Sequence, residues 1–306
     1  MPLILPDLLP AIEELKQENI FTMGYRRADS QQIRPLRLAV LNLMPLKITT
    51  ETDFIRILSN SALQIQVDFM KIKSHTSKNT PIEHMMAFYR TFEEMRKEKY
   101  DGLIVTGAPL EFINYEDVTY WQELQEVFNW AHGHVTSTIY VCWAAFAALY
   151  HFYGVPKYNT SSKVFGVFKH KMLAPELPIF RGFDDEFYAP HSRHCEVYKK
   201  DIEKVPGLQV IADSDTAGIT IITARNGREF FITCHLEYSP LTLDGEYKRD
   251  VAKGLPINIP SHYYPDDDPS QRPIVRWRAA ANLLYTNWLN YYVYQETPYN
   301  INDIKE

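Results

Sequence analysis

Cysteine is scarce: the chain holds only Cys142, Cys195 and Cys234, and none sits in a Cys-x-x-Cys pair. An odd number without that spacing builds neither a disulfide framework nor a zinc site, which leaves at least one thiol for chemistry. Long apolar runs are also missing. The run over 138–149 is too short and interrupted to cross about 30 Å of hydrocarbon, so no membrane span is expected. The first 13 residues lack the basic start, apolar centre and small-residue cleavage site of a secretion signal, which points to the cytoplasm. Positive charge is not in excess: 32 Lys and Arg against 38 Asp and Glu give a formal charge of −6, which excludes a nucleic-acid platform. There is no GxGxxG, no phosphate loop ending in Lys and no HExxH, so neither a nucleotide cofactor nor a metal is implied. The pairs His132 and His134, and His191 and His194, fit no metal-ligand spacing.

What is present suffices for a large core, since 45% of the 306 residues are hydrophobic and 23% charged. Residues 2–33 read as a wrapping arm with a short helix over 13–18. From Leu36 the pattern changes to strand followed by helix. Strands are expected over 36–43, 63–70, 102–106 and 138–142, and helices over 50–58, 81–97, 117–132 and 143–150. Alternation of this kind means a mostly parallel sheet covered by helices on both faces. The second half is less regular, with a short strand over 164–168, a loop over 175–186 and strands over 208–212, 218–224 and 229–234. The last two are joined by Arg225-Asn-Gly-Arg, a hairpin signal that adds an antiparallel edge. A loop over 256–273 precedes a long helix over 275–295. The expected organisation is an arm at 1–34, one catalytic domain at 35–299 and a tail at 300–306.

In an open α/β sheet the reactive groups gather at the carboxyl ends of the strands. Cys142 closes one strand and opens the helix that begins at Trp143, which makes a nucleophile elbow. An ordinary thiol is only a few per cent ionised at neutral pH; a helix N-terminus and a nearby imidazolium raise that fraction. His235 follows the strand 229–234 and is the candidate base. Glu237, two residues on, points the same way if the segment is extended, and so orients the imidazole. The loop after 103–105, beginning Thr106-Gly107, has N–H groups that, with the N–H of Trp143, face an oxyanion. Cys195 and Cys234 read as partly buried, small apolar residues.

These residues carry a family resemblance. The chain resembles homoserine O-acyltransferases built on a class I glutamine amidotransferase-like scaffold, through Gln32-Ile-Arg-Pro-Leu, Leu41-Asn-Leu-Met-Pro, Ser77-Lys-Asn-Thr, Asp101-Gly-Leu-Ile-Val-Thr-Gly-Ala-Pro, Cys142-Trp-Ala-Ala, Tyr150-His-Phe-Tyr-Gly-Val-Pro-Lys-Tyr, Arg181-Gly-Phe-Asp-Asp, Pro190-His-Ser-Arg-His, His235-Leu-Glu-Tyr and Asn287-Trp-Leu-Asn-Tyr-Tyr-Val-Tyr-Gln-Glu-Thr-Pro. The resemblance implies a flavodoxin-like α/β fold and an acyl thioester on Cys142, with His235 as proton acceptor and Glu237 as its orienter. It implies that Lys163, Ser192 and Arg249 contact the amino-acid acceptor and that Lys47 lies near the acyl-transfer site. Glu111 matches the position that selects the donor, Glu going with acetyl-CoA and Gly with succinyl-CoA. A carboxylate there repels the free carboxylate of a succinyl group. The implied reaction moves acetyl from acetyl-CoA, a co-substrate rather than a resident cofactor, to L-homoserine in methionine biosynthesis, in a cytoplasmic homodimer. Phe146, Cys195 and Ser239 depart from the family's usual Gln, Thr and Asp.

Three alternatives remain open at this level. Succinyl-CoA or L-serine would use the same chemistry. An amidotransferase or cysteine peptidase would use the same triad, although the elbow lacks its usual flanking glycines. A non-catalytic binding module would use only the scaffold.

Overall fold

The computed structural model describes residues 3–6, 8–17, 22–24, 34–75, 79–298 and 300–305. Gln32, Ile33, Ser77, Lys78 and Glu18 of the sequence strings and arm helix lie outside them. In chain order the strands are β1 (Leu3–Leu5), β2 (Thr22–Gly24), β3 (Leu36–Leu41), β4 (Ile65–Lys71), β5 (Tyr89–Thr91), β6 (Tyr100–Val105), β7 (Val135–Val141), β8 (Tyr158–Met172), β9 (Glu186–Glu196), β10 (Gln209–Ser214), β11 (Gly218–Ala224) and β12 (Glu229–Ile232). The α-helices are α1 (Ala11–Gln17), α2 (Lys47–Leu58), α3 (Ile82–Phe88), α4 (Phe92–Met95), α5 (Trp121–His134), α6 (Trp143–Tyr153), α7 (Lys199–Ile202), α8 (Thr242–Ala252) and α9 (Arg278–Asn287).

All twelve strands among the described residues join one sheet in the order β2-β1-β4-β3-β6-β7-β12-β11-β10-β8-β9, with β5 beside β4. Pairings from β2 through to β12 are parallel, and those from β12 to β9 are antiparallel. Alternate side chains serve opposite faces: Leu38 and Val40 join one apolar cluster, Ala39 and Leu41 the other. That is the two-faced burial expected of a parallel sheet under helices. Among the described residues no helix is long and apolar enough to cross a membrane.

Four expectations are revised. The helix expected over 81–97 is cut by β5, because Tyr89 turns inward to bond Glu51 and Asn42 while Thr91 and Glu94 form a capping box that restarts the helix as α4. The strand expected over 164–168 runs the whole length of β8 and pairs with β9, a strand the sequence reading lacks. Within β9, His191, Ser192 and Arg193 of the string Pro190-His-Ser-Arg-His are buried inside the sheet through specific partners. The helix expected over 275–295 is α-helical only through α9 and continues as a π-helix over Trp288–Tyr294, where the Gln295 N–H reaches the Asn290 carbonyl five residues back. Trp288 packs over Gly102, where a Cβ would fall 2.9 Å from the indole. The arm is likewise part of the sheet, since β1 lies between β2 and β4. At the other end Lys99 donates to the Asn302 carbonyl at 3.0 Å, which docks the tail.

Candidate active site

The elbow is built as the sequence implies. β7 ends at Val141 and α6 starts at Trp143, with Cys142 between them at φ 49° and ψ −115°. A non-glycine residue there is strained by about 1–3 kcal/mol. The strain is held by strong surroundings. The Cys142 N–H donates to the Ile232 carbonyl at 2.7 Å, and α6 is rich in alanine, the best helix former. The helix closes on Gly154, left-handed at φ 64°, whose N–H reaches the Tyr150 carbonyl.

His235 is carried just past β12, where its N–H donates to the Pro190 carbonyl of β9 at 2.8 Å. Its Nδ1 meets Glu237 Oε1 at 2.6 Å, both side chains being buried. The backbone that makes this pair differs from expectation: residues 235–238 form a turn, closed by the Tyr238 N–H on the His235 carbonyl, rather than an extended segment. Burial opposes protonation of the ring. The Cys142 sulfur and the Glu237 carboxylate, each also a hydrogen-bond partner, outweigh it and hold His235 well above the ordinary imidazole range. An imidazolium facing the Cys142 sulfur is the arrangement this favours. Gly107 lies against both, since a Cβ on it would fall 3.3 Å from Cys142 Cβ and 3.6 Å from His235 Cε1. Trp143 is fully buried, and its N–H opens α6 beside the sulfur.

Next to the triad is a second centre that the sequence reading missed. Glu246 on α8 accepts from Lys163 Nζ at 3.0 Å, Ser192 Oγ at 2.5 Å and Tyr238 Oη at 3.2 Å. Tyr238 stacks on His235 with ring centroids 4.1 Å apart, so this hub abuts the imidazole. Arg249 stands nearby on the same helix, half exposed and forked onto Asp250 at 2.6 and 2.9 Å, with the Glu246 charge in range. The structure therefore brings Lys163, Ser192 and Arg249 together. The only sequence signal for Glu246 was its place three residues before Arg249, one turn along the helix.

Glu111 is partly buried. Burial raises its carboxyl pKa, opposed by a backbone hydrogen bond and by His235, Lys163 and Lys157 nearby. Lys47 is less directly placed. Its Nζ is held by the carbonyls of Asn42 at 2.6 Å and Met44 at 3.3 Å, and burial pulls it down to about 8 against the field of Glu51. Among the described residues it makes no hydrogen bond or ion pair with the triad. Its loop does adjoin Gly107, because the Leu43 N–H donates to Thr106 Oγ1. Of the three departures, Phe146 sits one turn below Cys142, Cys195 lies within the electrostatic reach of Cys142 and Glu111, and Ser239 bonds Thr242 at the start of α8.

Beneath the site, His170 and His191 share an Nε2 to Nε2 hydrogen bond of 2.9 Å, and Arg193 Nε donates to His191 Nδ1. That network assigns the shared proton to His191 and keeps both rings neutral. Burial brings His170 down to about 4 and puts His191 well below its usual range. An unfolded histidine binds its proton below about pH 6.5 and the folded His170 only near 4, so stability falls as pH drops through that interval. We expect a loss of about 2 to 3 kcal/mol between pH 7 and 4.5 from this group. Urea midpoints measure it; a flat profile, or one unchanged in His170→Gln, contradicts the assignment.

A mostly parallel sheet under helices, with the elbow cysteine at a strand end, gives the molecule a class I glutamine amidotransferase-like fold. The crystal structure of a glutamine amidotransferase from Thermotoga maritima superposes with a TM-score of 0.55 at 11% identity, covering 84% of this chain and 98% of that one. The sequence profile of the homoserine O-succinyltransferase family matches residues 2–299, and the chain belongs to that family. It is similar to the homoserine O-acetyltransferases of Bacteroides fragilis strain YCH46, 65% identical over 100% of both chains, and Bacteroides thetaiotaomicron, 66% identical over 100% of both.

Proposed function

We propose that this chain is a homoserine O-acetyltransferase that works through an acetyl-Cys142 intermediate. The observation that carries the mechanism is the buried pair of His235 and Glu237 at 2.6 Å beside a cysteine held on a strained elbow. The Cys142 thiolate attacks the thioester carbonyl of acetyl-CoA. The oxyanion is met by the N–H of Trp143 and the Gly107 loop, and CoA leaves with the proton from His235. The homoserine hydroxyl then gives its proton to His235, attacks the acyl carbon and departs as the O-acetyl ester, restoring the thiolate. Glu237 holds the imidazole tautomer throughout.

The acceptor is read into the hub around Glu246. Its carboxylate suits an α-ammonium, and the cations Lys163 and Arg249 suit an α-carboxylate. Ser192 is a hydroxyl contact within the same hub. Glu111 supports acetyl over succinyl, since its carboxyl faces the same charged groups as the reacting centre and excludes a second carboxylate. On this reading acetyl-CoA is a transient co-substrate, the product feeds methionine biosynthesis, and the protein acts in the cytoplasm as a homodimer.

The test crosses acetyl-CoA and succinyl-CoA with L-homoserine and L-serine, reading CoA release by the purified protein. Acetyl-CoA with homoserine is expected to turn over fastest, and Glu111→Gly to move the preference toward succinyl-CoA. Faster turnover of succinyl-CoA by the native protein defeats the donor assignment. A preference for serine defeats the acceptor assignment.

A further inference from the structure

The donor selector is itself held in place by a residue from elsewhere in the chain. After β6 the loop 106–114 passes Cys142 and His235 at Gly107, and three consecutive residues of it are restrained from outside. Lys157 Nζ donates to the Glu111 carbonyl at 2.5 Å and to the Ile113 carbonyl at 2.7 Å. Between them, the Phe112 ring lies on His194 of β9 with centroids 4.8 Å apart. Lys157 is half buried, and its ammonium also sits 4.8 Å above the Tyr115 ring, which stacks on Trp121 and Tyr150 and leans on Trp143. Both hydrogen bonds are charge-assisted and so stronger than neutral ones. They act on the backbone of Glu111, while the Lys157 charge also helps to keep its carboxyl ionised.

The tether is rigid at its own end. Lys157 follows the left-handed Gly154 that closes α6 and immediately precedes β8. The helix capped by Cys142 is therefore linked, by its last turn and one ammonium, to the loop carrying the Glu111 carboxylate, which lies within electrostatic reach of His235. A bare loop would let Glu111 swing away and admit a longer, charged acyl group.

Resting on the reading of Glu111 as donor selector, we propose that Lys157 is a positioning residue for acyl-donor discrimination, acting through the Glu111 backbone. The test measures kcat/KM of the full chain for acetyl-CoA and succinyl-CoA in the native protein, Lys157→Met, Lys157→Arg, Glu111→Gly and Glu111→Gly/Lys157→Met. Lys157→Met is expected to lower the acetyl-to-succinyl ratio at least about tenfold, the size set by losing a hydrogen bond to a charged group. Lys157→Arg, which keeps a cation and donors, is expected to hold the ratio within about threefold. In the Glu111→Gly background Lys157→Met is expected to leave the ratio unchanged, because the group it positions is gone.

Equal losses on both donors, or a ratio shift that persists in the Glu111→Gly background, overturn the proposal. If Lys157→Met does not fold by circular dichroism, Lys157→Gln replaces it under the same criteria. If Glu111→Gly leaves the ratio at the native value, it is the reading of Glu111 that fails. A shift with Glu111→Gly and none with Lys157→Met defeats the Lys157 proposal alone.

Discussion

Cys142→Ser is expected to lower turnover by at least about 10⁴-fold and to erase the burst of one equivalent of CoA released when the protein meets acetyl-CoA without acceptor. Serine keeps the shape of the elbow, so the loss reads chemistry rather than folding. A serine hydroxyl beside His235 cannot supply the anion that holds the imidazole well above its usual range. Intact-mass spectrometry after mixing with acetyl-CoA checks the same step independently. The native chain is expected to gain one acetyl group and the variant none. A burst that survives in the variant places the nucleophile elsewhere. No other cysteine is ready to take the role: burial pushes Cys195 and Cys234 far above the ordinary thiol range, so both stay protonated.

The second large effect is expected at Glu237. Glu237→Gln preserves volume and can still touch His235 Nδ1, which now lies 2.6 Å from a carboxylate oxygen. On the proposed mechanism the amide lets the ring adopt the wrong tautomer and removes the charge that stabilises the imidazolium in both half-reactions. A fall of about 10³ to 10⁴ in kcat with little change in KM for homoserine is expected. The variant's pH profile is also expected to change, its basic limb moving to lower pH, because a lost carboxylate lowers the ring's proton affinity. Unchanged kcat, or a loss carried wholly in KM, assigns Glu237 to binding instead.

The grouping of Cys142, His235 and Glu237 was legible in the sequence for a local reason. A parallel sheet aims its strand ends at one edge, so Cys142 and His235 stood out wherever the two strands were drawn correctly. Glu237 was found by a rule for extended chain that does not apply. A turn makes the contact, and two residues are close enough in sequence for either geometry to deliver it. Glu246 was out of reach because its partners Lys163, Ser192 and Tyr238 come from three other segments. β9 was missed because burial of His191 and Arg193 depends on polar neighbours supplied by β8 and by the loop at Ala217. Periodicity records apolar faces and is blind to a buried polar one. The break at β5 has the same origin: Tyr89 leaves the helix to complete a network around Glu51, a carboxylate with no exposure to solvent.

The positive φ at Cys142 sets a limit on how far this protein can be improved as a folded object. Glycine alone relieves such a backbone, and glycine has no sulfur. On the proposed acyl-Cys142 mechanism, the most robust sequence for this scaffold and the sequence able to carry an acyl group are therefore different sequences. Any thermostabilised descendant that keeps its activity must find its gains away from that one residue.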